Sequence, residues 1–131
     1  MAVITPKKIT EEGVLTSTSP ALSSAATGGD NFINSGVEFV RIENTHADAA
    51  YTVTVTAQTT TYSFPRHGKL TKVNTAISVG NGTSVFIGPF KPTVWNDANG
   101  KVQLTYKLTS DGSDITGTHL LKTEVLYLEQ K

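Results

Sequence analysis

Residues 51–56 (YTVTVT) carry the clearest secondary-structure signal in the chain, a strict alternation of apolar side chains and threonines. Successive side chains of a β-strand point to opposite faces, so Tyr51, Val53 and Val55 share one face and the threonines share the other. One apolar face and one hydroxyl-bearing face are typical of an antiparallel strand that is buried on one side. The stretch therefore predicts a half-buried strand.

Strand patterns continue on both sides of this stretch. Residues 37–42 (VEFVRI) also fit a β-strand, one that carries apolar side chains on both of its faces. Further strands are predicted at 59–64, 71–79, 84–87, 101–108 and 120–128. Turns rich in Gly, Asn or Pro separate the strands, at 65–68, 80–82, 96–100 and 111–112. No stretch has a convincing helical period. The pattern predicts an all-β protein, either an antiparallel β-sandwich of jelly-roll type or a small barrel.

The first 31 residues differ in composition from the rest. Residues 16–31 consist mostly of Ser, Thr, Ala and Gly, which offer little apolar surface to bury. We expect residues 1–31 to form an extended N-terminal arm and residues 32–131 to form the β-sandwich domain. The arm can lie on its own domain or on a partner, and the sequence leaves both open. Its candidate contact residues are the apolar ones, namely Val3, Ile4, Pro6, Ile9, Val14 and Leu15.

Composition excludes several classes of protein. The chain has 131 residues, 11 Lys plus Arg, 11 Asp plus Glu and no Cys. One domain of this size can bury roughly two-thirds of its unfolded surface. Disulfides, thiolate metal sites and cysteine nucleophiles are excluded. Zero formal charge argues against nucleic acid as a partner, and no apolar run reaches the roughly 18 residues of a membrane helix. The first residues also lack the pattern of a signal peptide.

Motifs for catalysis or metal binding are missing from the sequence. His46, His67 and His119 have no second ligand at a recognised spacing. There is no Gly-x-Ser-x-Gly nucleophile elbow and no glycine-rich phosphate loop. Residues 96–100 (NDANG) fail the register of a calcium loop, because Trp95 would take the first ligand position. We therefore expect no enzyme, with no catalytic residue, no cofactor and no metal site.

Aromatic residues near residues 90–106 allow more than one interpretation. Phe90 and Trp95 flank residues 91–94, and Tyr106 lies in the predicted strand 101–108. Exposed rings can stack on sugars, whereas buried rings belong to a core or to a seam between subunits. Phe90, Trp95 and Tyr106 are therefore candidates for a subunit seam or a binding face, and equally for the core.

Three stretches carry a resemblance to a known group of proteins. They are residues 29–44 (GDNFINSGVEFVRIEN), residues 51–56, and residues 87–106 with the motifs IGPF and NDANGKVQLTY. In this order they resemble small head-associated virion proteins of tailed bacteriophages. The resemblance covers roughly residues 29–106 and implies a β-sandwich that binds the outer surface of an icosahedral capsid as a decoration, or cement, protein.

The resemblance also implies partners and a location. The major capsid protein would be the main partner, and the protein would form a homo-oligomer, with a trimer favoured at threefold positions of the shell. It would be made in the host cytoplasm and end on the outer capsid surface of the virion. The alternatives are a virion module that binds host carbohydrate, and a structural subunit of the tail or neck.

Overall fold

Strands make up most of the structure, a computed structural model in which residues 1–10, 23–58, 61–66, 68–115 and 121–128 are described. Within these ranges the chain forms twelve strands and one short helix, α1 (Pro92–Trp95). The strands are β1 (Ala2–Val3), β2 (Lys7–Ile9), β3 (Ser23–Ser24), β4 (Asp30–Ile33), β5 (Glu38–Asn44), β6 (Tyr51–Val55), β7 (Thr61–Phe64), β8 (Gly68–Thr71), β9 (Thr75–Val79), β10 (Ser84–Ile87), β11 (Lys101–Leu108) and β12 (Leu121–Leu128).

Sheet A contains five strands in the order β1-β4-β11-β6-β9. Its centre is the antiparallel pair of β6 and β11, in which Val53 lies opposite Tyr106. Tyr51, Val53 and Val55 are buried while Thr52 and Thr54 are partly exposed, as the alternation predicts. At one edge of the sheet, β1 runs parallel to β4.

Sheet B has the order β10-β5-β12-β2, and β3 also pairs with β12. The strands β5 and β12 pair antiparallel along their length, from Leu121 opposite Asn44 to Tyr127 opposite Glu38. At the other side of β12, β2 runs parallel to it. The strands β7 and β8 form a separate hairpin.

The hydrophobic core lies between the two sheets. Phe32 and Leu104 of sheet A and Val40, Ile42 and Val125 of sheet B are fully buried in one cluster. Burial of each such side chain contributes about 1.5–3 kcal/mol to folding. The alternating strands therefore supply one apolar face each to a shared core.

The all-β prediction is confirmed, with two corrections. Apart from the hairpin of β7 and β8, the described strands form two open sheets packed together, so the small-barrel alternative is wrong for this part of the chain. The sheets are mixed rather than purely antiparallel, because β1 and β2 add parallel neighbours at their edges. The predicted strand 71–79 is interrupted between Thr71 and Thr75, and α1 was not expected.

Residues 1–10, the start of the predicted arm, connect the two sheets along one side. The N–H of Ala2 donates to the carbonyl oxygen of Gly29 (3.0 Å), and that of Ile4 donates to Asn31 (2.8 Å). The chain then crosses to β12 of sheet B. These residues therefore lie on the edges of their own domain. The predicted boundary between residues 31 and 32 falls inside β4.

Candidate binding surfaces

An exposed apolar patch lies where β1 meets β4, on the outer face of sheet A. Val3 is opposite Asn31, so its side chain points the same way as Asn31 and Ile33, away from the buried Phe32. Val3 is 62% exposed, and Met1 and Ile33 are also exposed. We call Met1, Val3 and Ile33 the arm patch.

The other candidate residues of the arm have different surroundings. Ile4 is partly buried and packs against the core, whereas Pro6 and Ile9 are half-buried. Ile9 belongs to β2 and lies opposite Leu128. Val14 and Leu15 lie outside the described residues. Of the predicted contact residues that are described, Val3 is the most exposed.

A buried carboxylate anchors β2 to sheet B. Glu124 of β12 is 1% exposed, although it lies on the outer side of the sheet opposite Arg41. Its Oε2 accepts a hydrogen bond from Lys7 Nζ (3.3 Å), and its Oε1 accepts one from Arg41 Nη1 (3.1 Å). Arg41 Nη2 also lies 3.6 Å from Glu43 Oε2. Lys7, which belongs to the predicted arm, is thereby held at sheet B.

The turn between β4 and β5 forms a small cradle for another carboxylate. Glu38 accepts hydrogen bonds from the backbone N–H and the hydroxyl of Ser35 (2.7 and 2.9 Å) and from the N–H groups of Gly36 and Val37 (both 3.2 Å). Burial works to raise the pKa of Glu38, but these hydrogen bonds outweigh it and hold the pKa below its usual 4.5. The chain's own carboxylate thus fills this cradle.

Replacing Glu38 by Gln is expected to destabilise the fold by about 1–3 kcal/mol at pH 7, because the amide loses charge-assisted hydrogen bonds. A carboxyl whose pKa is lower in the folded state stabilises the fold above its unfolded pKa. That stabilisation is lost as the pH falls through the folded value. The difference between wild type and Glu38→Gln should therefore shrink below about pH 4 in urea denaturation curves.

The matched control for Glu38 is Glu43→Gln on the same strand. Glu43 is partly exposed and lies 3.6 Å from Arg41, so its loss should cost less than about 1 kcal/mol. Equal losses in the two variants at pH 7 would contradict the role assigned to the cradle.

Two of the three aromatic candidates lie in the core. Phe90 packs against Phe32 with the ring centroids 5.8 Å apart. Tyr106 is 2% exposed, and its hydroxyl donates to Asp30 Oδ2 (2.8 Å), which also accepts from the N–H of Ala26 (3.1 Å). Burial and the neighbouring Asp30 raise the pKa of Tyr106 well above 10. Neither ring offers a face at the surface of the chain.

Trp95, the third aromatic candidate, lies at the margin of the core. It is half-buried and meets Phe90 edge-on, with the ring centroids 6.2 Å apart. Lys72 Nζ lies 5.1 Å from the centroid of the Trp95 ring, within the range of a cation–π contact. A sugar stacking on that ring face would have to displace Lys72.

Among the described residues, no group of three or more His, Asp or Glu side chains comes close enough together to hold a metal ion. The Nδ1 of His46 accepts hydrogen bonds from the N–H groups of Asp48 and Ala49 (both 3.0 Å), so this ring closes a turn. His67 and His119 lie outside the described ranges. Within the described part of the chain, no helix is long and apolar enough to cross a membrane.

Comparison with known proteins adds no assignment. No family model, curated protein or solved structure matches this chain. Function therefore has to be argued from the surfaces described above.

Sequence reasoning missed several of these surface features. Lys7, Arg41 and Glu124 were not singled out, because their association depends on the register of β2, β5 and β12. Opposite charges in three separate strands give no local signal. Ile33 was also missed, although its alternation with the buried Phe32 could have placed it on the outer face of its strand.

Proposed function

We propose that the protein is a non-enzymatic structural protein of a phage virion, a decoration protein that binds the outer capsid surface and stabilises the shell. The observation that carries the proposal is the arm patch. Val3 and Ile33 are exposed, yet backbone hydrogen bonds from Ala2 and Ile4 to sheet A hold the patch in place. An apolar surface ordered in advance loses little conformational entropy on binding.

The strand order supports the same class of protein. Without β1, β2 and the hairpin β7–β8, the sheets have the orders β4-β11-β6-β9 and β3-β12-β5-β10. If these eight strands are renumbered 1 to 8 along the chain, the two sheets have the orders 2-7-4-5 and 1-8-3-6. These are the strand orders of the two sheets of a jelly roll. Jelly rolls of eight strands recur in viral capsid proteins. We therefore propose a jelly roll with an added N-terminal arm.

The proposed partner is the major capsid protein. A stable contact buries about 800 Å² on each side, more than three side chains can supply. The arm patch would thus be the centre of a larger contact. A homo-oligomer, in which a trimer suits threefold positions of the shell, would multiply this contact.

The double variant Val3→Asp/Ile33→Asp tests this proposal. Two carboxylates in the patch would have to be desolvated on binding, so affinity for capsids that lack the protein should fall at least about 100-fold. Folding should be little changed, because both side chains are exposed. Co-sedimentation with such capsids measures the affinity.

The matched control for this test is Val73→Asp. Val73 is also exposed but lies between β8 and β9, away from the arm patch, and its replacement should leave binding unchanged. Full occupancy of capsids by the double variant would contradict the proposed contact. Binding to tails or necks, with tens rather than hundreds of copies per virion, would instead support the tail or neck alternative.

A further inference from the structure

Two strand edges lie next to each other on one side of the sandwich, β9 at the end of sheet A and β10 at the end of sheet B. No described strand pairs with the far side of either one. Residues 80–83 join the two strands directly. On the opposite side of the sandwich, β1 and β2 cover the edges of the same two sheets. We call the uncovered sides of β9 and β10 the open edges.

The hydrogen-bond register shows which backbone groups of β9 point outward. The N–H of Thr56 donates to the carbonyl oxygen of Gln103 (3.1 Å), its opposite residue. Alternate residues of β6 therefore bond to β11, and the residues between them, Val53 among them, bond to β9. Since Val53 lies opposite Ile77, the N–H and C=O groups of the neighbouring Ala76 and Ser78 point away from sheet A.

The same argument applies to β10 in sheet B. The N–H of Asn44 donates to the carbonyl oxygen of Thr83 (2.9 Å), which continues the pairing of β5 with β10. Val85, two residues along, bonds to β5 as well, so the backbone groups of Ser84 and Phe86 point outward. Each open edge thus presents two residues whose donors and acceptors face away from the sheets.

Neither open edge has the features that usually keep strand edges from pairing. Natural proteins protect such edges with charged side chains, prolines or bulges. Residues 74–90 contain no charged residue, and their one proline, Pro89, follows β10. Ile77 and Val85 pack against the core between the two edges but are only partly buried. This side of the sandwich therefore offers backbone groups for pairing and apolar surface that remains to be covered.

We infer that the open edges pair with the same two edges of a second copy of the chain, about a two-fold axis normal to the sheets. Two edges about 10 Å apart, the spacing of packed sheets, are matched by another such sandwich, whereas one extended segment covers only one of them. The N–H of Thr83 donates to the carbonyl oxygen of Gly80 (3.2 Å), so these residues lie at one level. Counted from them, Ile77 and Val85 differ by about one residue in height, and a single axis serves both strand pairs.

The two-fold axis fixes the register of the pair. An antiparallel strand paired with its own copy is an isologous contact. In the register that pairs all of β9, Ala76 lies opposite Ser78 of the second copy, and their outward N–H and C=O groups bond to each other. The axis leaves the outer faces of both copies of sheet A on the same side. Both arm patches therefore face one surface, as binding to a capsid requires.

The pair should be weak in solution because the contact is small. A stable interface uses about 20–30 residues on each side, more than the two open edges provide. Copies that are held close together on a shell would pair more readily than free copies, because their effective concentration is higher.

Cysteine cross-linking tests the register, because the chain has no cysteine of its own. Residues opposite each other in such a pair have Cα atoms about 5.5 Å apart, within reach of a disulfide, whereas diagonal neighbours are about 7–8 Å apart. An equimolar mixture of Ala76→Cys and Ser78→Cys should therefore give disulfide-linked dimers on mild oxidation. Each variant alone should give at least about tenfold less dimer, because each residue meets its own copy only diagonally.

Sedimentation equilibrium of the unmodified protein provides the second measurement. It should show monomer and dimer in exchange, with the dimer prevailing by about 1 mM. Ser78→Pro removes an outward N–H but no bond to β6, and strand edges tolerate proline, so this variant should fold and dimerise at least about tenfold more weakly. The matched control, Ser78→Ala, keeps the N–H and should dimerise like the wild type. Circular dichroism verifies the fold of both, and the cysteine mixture decides alone if Ser78→Pro does not fold.

Three results would each overturn the inference. They are a monomer or a species larger than a dimer at about 1 mM, equal cross-linking in the mixture and in the single variants, and a folded Ser78→Pro that dimerises like the wild type. Loss of capsid binding in Ser78→Pro without any dimer of the wild type would overturn it too, and would assign the edge to an extended segment of the capsid protein. The mass measurements use no capsid, so a failure of the proposed function would not be mistaken for a failure of the pair.

Discussion

Replacing both Lys7 and Arg41 by Met is expected to lower the free energy of unfolding by about 3–5 kcal/mol. Glu124 is 1% exposed and takes its hydrogen bonds from these two cations, at 3.3 and 3.1 Å. Without them the buried carboxylate loses both of the cations that donate hydrogen bonds to it. The desolvation of that charge, which the two cations offset in the wild type, then opposes folding.

The control for this loss is the triple variant Lys7→Met/Arg41→Met/Glu124→Met. Replacing a whole buried ion cluster by apolar side chains of similar size is often neutral, so the triple variant should recover most of the stability. Arg41→Met alone should lose less than the double variant, since Lys7 remains. Urea denaturation followed by circular dichroism measures all three. A double variant within about 1 kcal/mol of wild type would show that solvent reaches Glu124.

The strands that the sequence predicts well are those that cover the core. Residues 84–87 and 101–108 match β10 and β11, and residues 51–56 contain β6, because each alternates between a buried and an exposed face. The three short strands near the N-terminus were not predicted as strands. β1, β2 and β3 have two or three residues each, and hydrogen bonds to a neighbouring edge define them rather than their own periodicity.

The candidate surfaces were predictable only in part. Hydrophobicity singled out both Val3 and Ile4, but only the pairing of β1 with β4 shows that Val3 faces outward while Ile4 packs against the core. Phe86 and Leu128, which are exposed on sheet B, were not singled out. Alternation shows which residues share a face, but it does not show whether another layer covers that face. Exposure therefore had to come from the structure.

Gly29→Ala is expected to cost about 3 kcal/mol or more, the second large effect on stability. Gly29 has a φ of +92°, which L side chains rarely adopt, and a Cβ built there would overlap the carbonyl oxygen of Leu104 in β11. Backbone cannot move aside as a flexible side chain can. The start of β4 would have to shift, and the carbonyl of Gly29, which accepts the N–H of Ala2, would shift with it.

Gly112→Ala separates this overlap from the cost of the backbone conformation alone. Gly112 also has a positive φ, +71°, but nothing lies within 4 Å of its added Cβ. Its replacement should cost about 1–2 kcal/mol. Because β1 is held through Gly29, Gly29→Ala should also release the arm patch and weaken capsid binding, although Val3 and Ile33 are unchanged. Thermal unfolding and capsid co-sedimentation measure the two effects. Equal losses of stability in the two glycine variants would show that the close approach of the Leu104 carbonyl oxygen to Gly29 adds no cost beyond that of the positive φ.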